Sequence, residues 1–509
     1  MHKLKINQQE IYFDQLLDSE SPHYNIGTYI VIKGDLNIAL FKEAVRSSKN
    51  VFDVFKYKNF SNHAPFVNLQ EEDLSIQITE VDFSSEVWSE ELVKKWLQER
   101  INTPFDIYAG SLYDFVLIKI SHDKYWFSIG CHHLFSDGYG VPYVFLSYIF
   151  DKYHALRTGE KKEFCYPSYL EQVEKSTDYL DSKSYESDKE YWRRKFTQSQ
   201  ESILQKRVKT TSFKTDSVQF FFSTEEQQKL RTFCANQEIG LQDFLIAVLA
   251  VYYNKVYSQE FFDFSIPIHN RTSHGERITL GLFSKLIPCR LKLENCSLKE
   301  LFADIKTNQR QDYRHKQFPV SHFNTMLLSE SSNLSKPFDI SVNYRYFKLN
   351  TDESELDLKG FKNDATYSKT PIEFSICDFA EKGEEDLFLE IIFREDYFTN
   401  AEVRVLGESL LKIIDQFYIF GSDDIDSIHV LGEDEKHKLL FTFNDTTVAY
   451  PKDKTIVDLI EEQVAKTPDN IAIVFEDTEL TYRELNERSN QLAHYLIENY
   501  NIQPDDLIG

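Results

Sequence analysis

The sequence predicts an α/β protein made of two successive α/β units, with a third, partial unit at its C-terminus. Three observations carry this. Strand and helix signals alternate up to about residue 175, alternate again from about Ser212 to Leu431, and restart after the charged run at residues 433–438. The length of 509 residues fits, since roughly 150 residues per folding unit allows about three. The boundaries expected are 1–175, 176–432, a linker at 433–454, and a closing segment at 455–509.

In the first unit, residues 27–33 are β-rich. Asp35 is placed to cap a helix whose Ile38, Phe41, Ala44 and Val45 share one face. Residues 125–130 read as a further strand, and a helix over 143–156 ends near Gly159. The charged stretch 171–200 crosses between units. The second unit shows helices over 225–237, 242–257, 298–316 and 400–418, and strands over 339–347 and 387–394. The closing segment reads helix–strand–helix over 455–500 and ends where a further strand is expected. About 55 residues with half a sheet bury too little apolar surface to stand alone, so the end reads as a truncation of a larger protein.

Composition narrows the function classes. Hydrophobic residues make up 41% and charged residues 27%, ordinary for a soluble globular chain. The 41 Phe and 29 Tyr point to aromatic cores and an apolar-lined passage. The net charge, 57 − 82 = −25, repels phosphate backbones and anionic lipid, so neither nucleic acid nor membrane is an expected partner. Cys131, Cys165, Cys234, Cys289, Cys296 and Cys377 form no CxxC pair and suggest neither a disulfide framework nor a zinc site. The start shows no signal-peptide core, and the longest apolar run, 244–253, falls short of the about 20 residues a bilayer needs. The expected location is the cytoplasm.

The sharpest signal is Cys131-His132-His133-Leu134-Phe135-Ser136-Asp137-Gly138, between a strand and a helix. Three readings compete. His132 and His133 could ligate a metal with Asp137, but strand neighbours point to opposite faces and no third His or Cys lies at ligand spacing. Both could be core histidines satisfied by backbone, which the Asp-Gly turn weakens. Or one faces a cavity for acid–base work while its neighbour is structural, the reading the pattern favours. Neutral imidazole can accept a proton at cell pH, and an amine attacking an acyl thioester must lose one. Asp137, beyond the turn, is placed to brace the loop. A buried carboxylate needs a cationic partner, and Arg271 is the candidate. Gly138 removes a side chain where backbone can approach a long, thin ligand.

His-His-x-x-x-Asp-Gly followed by a helix resembles the signature of nonribosomal peptide synthetase condensation domains, relatives of chloramphenicol acetyltransferase. Other segments fit in order: Pro267 with Asn270 and Arg271, Gly281 and Phe283 with Pro288 and Arg290, His315 to Pro319, and Phe338 to Tyr344. The resemblance covers about residues 5 to 435. Leu480-Thr481-Tyr482-Arg483-Glu484-Leu485-Asn486 resembles the first core motif of adenylation domains, with Phe443-Asn444-Asp445-Thr446 as its lead-in. Everything that binds ATP in that family lies beyond such a segment.

The resemblance implies two chloramphenicol-acetyltransferase-like subdomains in a V-shaped pseudo-dimer, with a tunnel between them and the histidine motif at its middle. It implies amide bond formation between a donor acyl or peptidyl thioester and a carrier-bound aminoacyl thioester. His133 is then the functional histidine, as general base or orienting group, and Asp137 and Arg271 are a structural pair. His132 and Gly138 complete the motif. No cofactor binds the domain itself; phosphopantetheine arms on partner carriers, or coenzyme A on the donor, bring the substrates. The implied partners are a downstream acceptor carrier and a donor acyl-CoA, acyl carrier protein or upstream carrier, around a monomer inside a larger megasynthase.

The chain departs from the pattern in three places. Residues 47–53 replace the Arg-His-Glu-x-x-Arg segment, Gln8 to Tyr12 is a reduced form of the early Gln-x-x-Leu-Trp element, and the Asn expected near Lys285 is missing. The chain also opens almost at the first motif. If Met1 is the natural start the donor arrives in trans, which favours a starter domain that N-acylates the first amino acid of a lipopeptide. The alternatives are a peptidyl condensation domain fed from another polypeptide and a non-catalytic carrier-recruiting module.

Overall fold

A computed structural model describes residues 2–61, 64–70, 75–84, 89–108, 110–175, 179–197, 203–208, 213–293, 297–330, 338–346, 356–362, 365–379, 387–420, 425–500 and 502–508. Cys296, Ser212, the end of the 339–347 strand and the start of the expected 176–432 division lie outside the described residues. The chain divides into two compact units, Met1–Gly432 and Glu433–Gly509.

The first unit holds two large sheets beside a small three-stranded one (His2–Lys3, Tyr57–Phe60 and Phe66–Leu69). The strands of the two large sheets, in chain order, are β1 (Asn25–Lys33), β2 (Thr79–Asp82), β3 (Tyr113–Lys119), β4 (Lys124–His132), β5 (Thr215–Phe221), β6 (Phe261–Ile268), β7 (Lys285–Lys292), β8 (Ile340–Tyr346), β9 (Asp357–Lys362), β10 (Ile372–Asp378) and β11 (Leu387–Arg394). The helices that matter below are α1 (Ile6–Leu16), α2 (Ile38–Ser47), α3 (Glu90–Ile101), α4 (Leu146–Thr158), α5 (Tyr169–Lys175), α6 (Leu241–Tyr257), α7 (Leu298–Arg314) and α8 (Asn400–Phe420). The first sheet runs β9-β1-β4-β3-β2, and the second runs β7-β6-β8-β10-β11-β5.

The central strand β4 is buried along nearly its whole length, so large apolar residues such as Trp126, Phe127 and Ile129 serve both of its faces. Alternate residues serve opposite faces of the sheet. Ile30, Ile32, Phe127 and Ile129 pack with Phe41 of α2 and Ile149 of α4, while Tyr29, Val31 and Trp126 pack with Val93 and Leu97 of α3. The β1–β4 register sets Asn25 opposite His132 and Gly27 opposite Gly130, so the first sheet delivers the paired histidines at its C-terminal edge. In the second half α6 is buried from Phe244 to Tyr253 and forms the centre of a core with α7 and α8.

Two local expectations are corrected. Asn37, not Asp35, caps α2: its side chain accepts the Leu40 N–H at 3.1 Å. Asn37 immediately precedes the first helical residue, where a side-chain oxygen reaches the free N–H groups; Asp35 lies too far back. The helix expected over 143–156 begins as a π-helical turn, Gly140–Phe145, before α4, which ends on Gly159 in the left-handed region at φ 74°.

The strand β9 lies deep in the second half of the sequence yet pairs with β1 of the first sheet, from Lys362 opposite Thr28 to Asp357 opposite Lys33. No local pattern reveals this, because partner choice is tertiary. After a short helical segment over Glu433–His437 and Lys438–Thr442, the unit Glu433–Gly509 sets the longer helices Ile456–Lys466 and Tyr482–Tyr500 around a hairpin of Ile471–Phe475 and Thr478–Thr481 where one strand is expected. Neither of these two longer helices buries a residue.

Candidate functional site

The paired histidines leave the end of β4 in opposite settings. His132 is 1% exposed. Its Nδ1 accepts the Leu134 N–H at 3.1 Å, so the proton sits on Nε2, which donates to Gln15 Oε1 at 3.2 Å. The amide of Gln15 is oriented for this, since its nitrogen donates to the carbonyls of Asp18 and Ser21. Burial above all, then the neighbouring His133 and His23, lowers the His132 pKa to about 3. His132 is therefore a neutral, fixed ring.

His133 is half-buried and borders a cavity of about 950 Å³ that it shares with Gly138, Tyr139 and His269. Its backbone N–H donates to the Tyr24 carbonyl at 2.8 Å, and the Tyr24 ring stands edge-on to it at 6.3 Å. The cavity lies between the halves. One wall comes from β1 and the histidine loop, the other from β6 and β8, with Asn343, Arg345 and Glu373 adding polar groups. Tyr143 bridges the walls, its hydroxyl donating to the Tyr346 carbonyl at 2.5 Å.

Asp137 is sealed beneath the loop. It meets Arg271 Nη1 at 2.8 Å, with both side chains 0% exposed. Its carboxylate also accepts the N–H groups of Tyr139, Gly140, Phe283 and Ser284 at 2.7–3.2 Å. Burial alone would raise its pKa, but the Arg271 charge and these hydrogen bonds together hold it below the ordinary carboxylate range. Arg271 in turn donates to the carbonyls of Glu276 and Gly281 and lies over the rings of Tyr139 and Phe283. One ion pair thus joins the histidine loop of the first half to two loops of the second. Gly138 is exposed to the cavity, and a Cβ there would meet nothing within 4 Å.

Several supports escape a sequence reading. Helix α1 turns Asn7, Gln8 and Gln15 inward: Asn7 donates to the carbonyls of Leu282 and Ser284, and Gln8 to that of Leu134. A Cβ on Gly140 would stand 2.3 Å from Ser136 Oγ and 3.3 Å from Asp137 Oδ1 and Arg271 Nη2. Asp53, in the divergent 47–53 segment, accepts the Tyr169 and Leu170 N–H groups and so caps α5. The Tyr169 ring then fills the space over Gly281, and its hydroxyl donates to the Leu282 carbonyl. Only the low hydropathy of α1, with amides where apolar residues would be expected, hints at any of this. Lys285, where the pattern has Asn, donates to the Phe318 carbonyl, and burial lowers its pKa to about 8.

Among the described residues no group of three or more His, Cys, Asp or Glu side chains converges on a metal position. No single described helix is long and apolar enough to cross a membrane.

Two open sheets thus meet at a cavity, with one sealed and one cavity-bordering imidazole where they join. The profile of the family described as Condensation domain matches residues 1–440, and the chain belongs to that family, the amide-forming acyltransferase domains of nonribosomal peptide synthetases. A second family, AMP-binding enzyme, matches residues 460–509. The chain is 26% identical over 428 residues to surfactin synthase subunit 1 of Bacillus subtilis (strain 168), covering 83% of this chain and 12% of that protein. It is 26% identical over 520 residues to gramicidin S synthase 2 of Brevibacillus brevis, covering 99% and 11%. The chain therefore spans only a small part of the length of these two curated relatives.

Among solved structures, a mutant of the starter condensation domain of rhizomide synthetase in complex with C8-CoA superposes with a TM-score of 0.75 at 19% identity, covering 84% of this chain and 98% of that one. The first condensation domain of the CDA synthetase superposes with a TM-score of 0.71 at 18% identity, covering 85% and 99%. At such identities the likeness is one of fold.

Proposed function

We propose that residues 1–432 form the amide bond between a donor acyl thioester and the amino group of a carrier-bound aminoacyl thioester, with His133 at the reacting centre. The observation that carries this is the contrast between neighbouring rings: His132 is sealed and held neutral, while His133 borders the cavity between the halves. The acceptor nitrogen attacks the thioester carbonyl carbon, the C–N bond forms and the C–S bond breaks. The nitrogen sheds one proton, which the His133 imidazole takes or steers toward the departing thiolate. Asp137 and Arg271 hold the loop without touching substrate, and Gly138 leaves room for the arm.

The donor read here is an acyl group from coenzyme A or an acyl carrier protein, a starter role. The likeness to a starter domain solved with C8-CoA supports it. The polar wall of Asn343, Arg345 and Glu373 favours, as a second reading, a donor with polar groups such as a peptidyl chain. Residues 433–454 serve as linker and 455–509 as the opening of an adenylation domain. The chain works in the cytoplasm as a monomer within a larger synthetase, facing an acceptor carrier downstream. The test loads an acceptor carrier with an aminoacyl group, offers acyl-CoA or acyl carriers, and detects the amide by mass spectrometry. Wild type makes product and His133→Ala does not; equal product from both sinks the reading.

A further inference from the structure

The second sheet has one apolar and one polar face. Val342 of β8 and Phe374 and Ile376 of β10 alternate into the core that holds α6, so Asn343, Arg345, Glu373 and Ser375 stand on the other face. Asn343, Arg345 and Glu373 line the cavity that His133 borders. Neither the core nor the proton transfer at His133 accounts for them.

The Glu373 carboxylate is used on one side. Its Oε1 accepts from Arg345 Nη2, from the Ser375 hydroxyl at 2.9 Å and from the Asn343 amide at 3.4 Å. Its Oε2 accepts no hydrogen bond among the described residues, yet it is not an enclosed atom, and the side chain is 23% exposed. Three bonds on one oxygen fix the carboxylate and leave the other as an open acceptor on the cavity wall. Arg345 does not neutralise it alone, because the same guanidinium also meets Glu390 Oε2 at 3.4 Å. Gln219 adds only a neutral donor to Glu390, at 2.9 Å. Among the described residues two carboxylates therefore share one guanidinium, in a part-buried place where charge is less screened than on an open surface.

We propose that Glu373 is a specificity-determining residue whose Oε2 pairs with a cationic nitrogen, an ammonium or guanidinium, on the side chain of an acyl or aminoacyl group held in the cavity. This rests on the reading of the cavity as the place where the two thioesters meet. It holds for a fatty or a peptidyl donor alike, since the cation can arrive on either arm. A neutral amide N–H would satisfy the hydrogen bond and leave the negative excess; a cation answers both, and charge-assisted bonds are the stronger kind. An aliphatic chain against the same oxygen would strip its water and give nothing back, so the wall also selects against that fit.

The test uses the full chain with arginyl and citrullyl thioesters of N-acetylcysteamine, which match in shape and differ in charge. They are offered first as acceptors with one acyl-CoA, then N-acetylated as acyl donors to one aminoacyl thioester, so the two arms are told apart. Wild type is expected to favour arginyl about tenfold in kcat/KM on one arm, chiefly through KM. Glu373→Gln erases that preference. Glu373→Asp, which draws the charge back by one methylene, reduces it, and thermal melts report the folding of both variants. Equal use of the two thioesters by wild type on both arms overturns the proposal. So does an unchanged preference in folded Glu373→Gln or, should that variant not fold, in Glu373→Asp. No product from wild type, or product that ignores His133→Ala, instead overturns the function on which it rests.

Discussion

The two sides of one short loop stand in opposite environments. On the sealed side, His132, Asp137 and Gly140 are enclosed, hydrogen-bonded and locked to the second half through Arg271. On the open side, His133 and Gly138 face a cavity, and a side chain at 138 would touch no protein atom. The sealed side supplies rigidity, so that the open side can hold an imidazole in place without contacts that would fill the cavity.

The largest effect expected from breaking this contrast is on the sealed side. Arg271→Met strands a buried carboxylate and should cost about 3–5 kcal/mol of stability, read by thermal or chemical unfolding. A melt unchanged from wild type would mean that Asp137 does not depend on its cation. On the open side, His133→Ala should lower amide formation by about 10²- to 10⁴-fold while leaving the unfolding midpoint in place.

The pH response sharpens the same comparison. The folded-state pKa of His132, about 3, lies below its ordinary 6.5, so below pH 6.5 the unfolded chain binds a proton that the folded chain refuses. Its contribution to stability is complete above pH 6.5 and is lost as pH falls toward 3, with a slope of up to about 1.4 kcal/mol per pH unit. His132→Gln should show a shallower decline over that window in denaturant titrations at stepped pH. A parallel decline in both proteins would remove His132 as the cause.

The smallest effects separate two glycines. Gly140→Ala forces a Cβ against Ser136 and the buried ion pair and should cost about 1–3 kcal/mol. Gly138→Ala should melt like wild type and lose about tenfold in kcat/KM, because its methyl group enters only the space a substrate occupies. A folded, fully active Gly138→Ala would show that no ligand approaches that backbone.

These contrasts were unequally visible in the amino-acid string. The pairing of Asp137 with Arg271 was legible because a buried carboxylate demands a cation and the family resemblance implies a structural arginine at that position. The expectation that one of two neighbouring histidines faces a cavity followed from strand alternation. The partners that fix the other ring were not legible: Gln15 lies 117 residues from His132, and nothing in the local pattern of α1 says which amide turns inward. Helix positions over 224–257 and 400–420 were read within a few residues because apolar periodicity marks them. The cap of α2 was missed because Asp35 and Asn37 are chemically equivalent candidates and only helix geometry chooses between them.

The pairing of β9 with β1 has a mechanical consequence. A polypeptide divided near residue 175 would leave β1 as an open edge, a template for self-association until the missing ribbon docked. In the intact chain that ribbon acts as a tether. Any widening of the passage must twist or shear it, so breathing of the two lobes is confined to motions that six residue pairings can follow without parting.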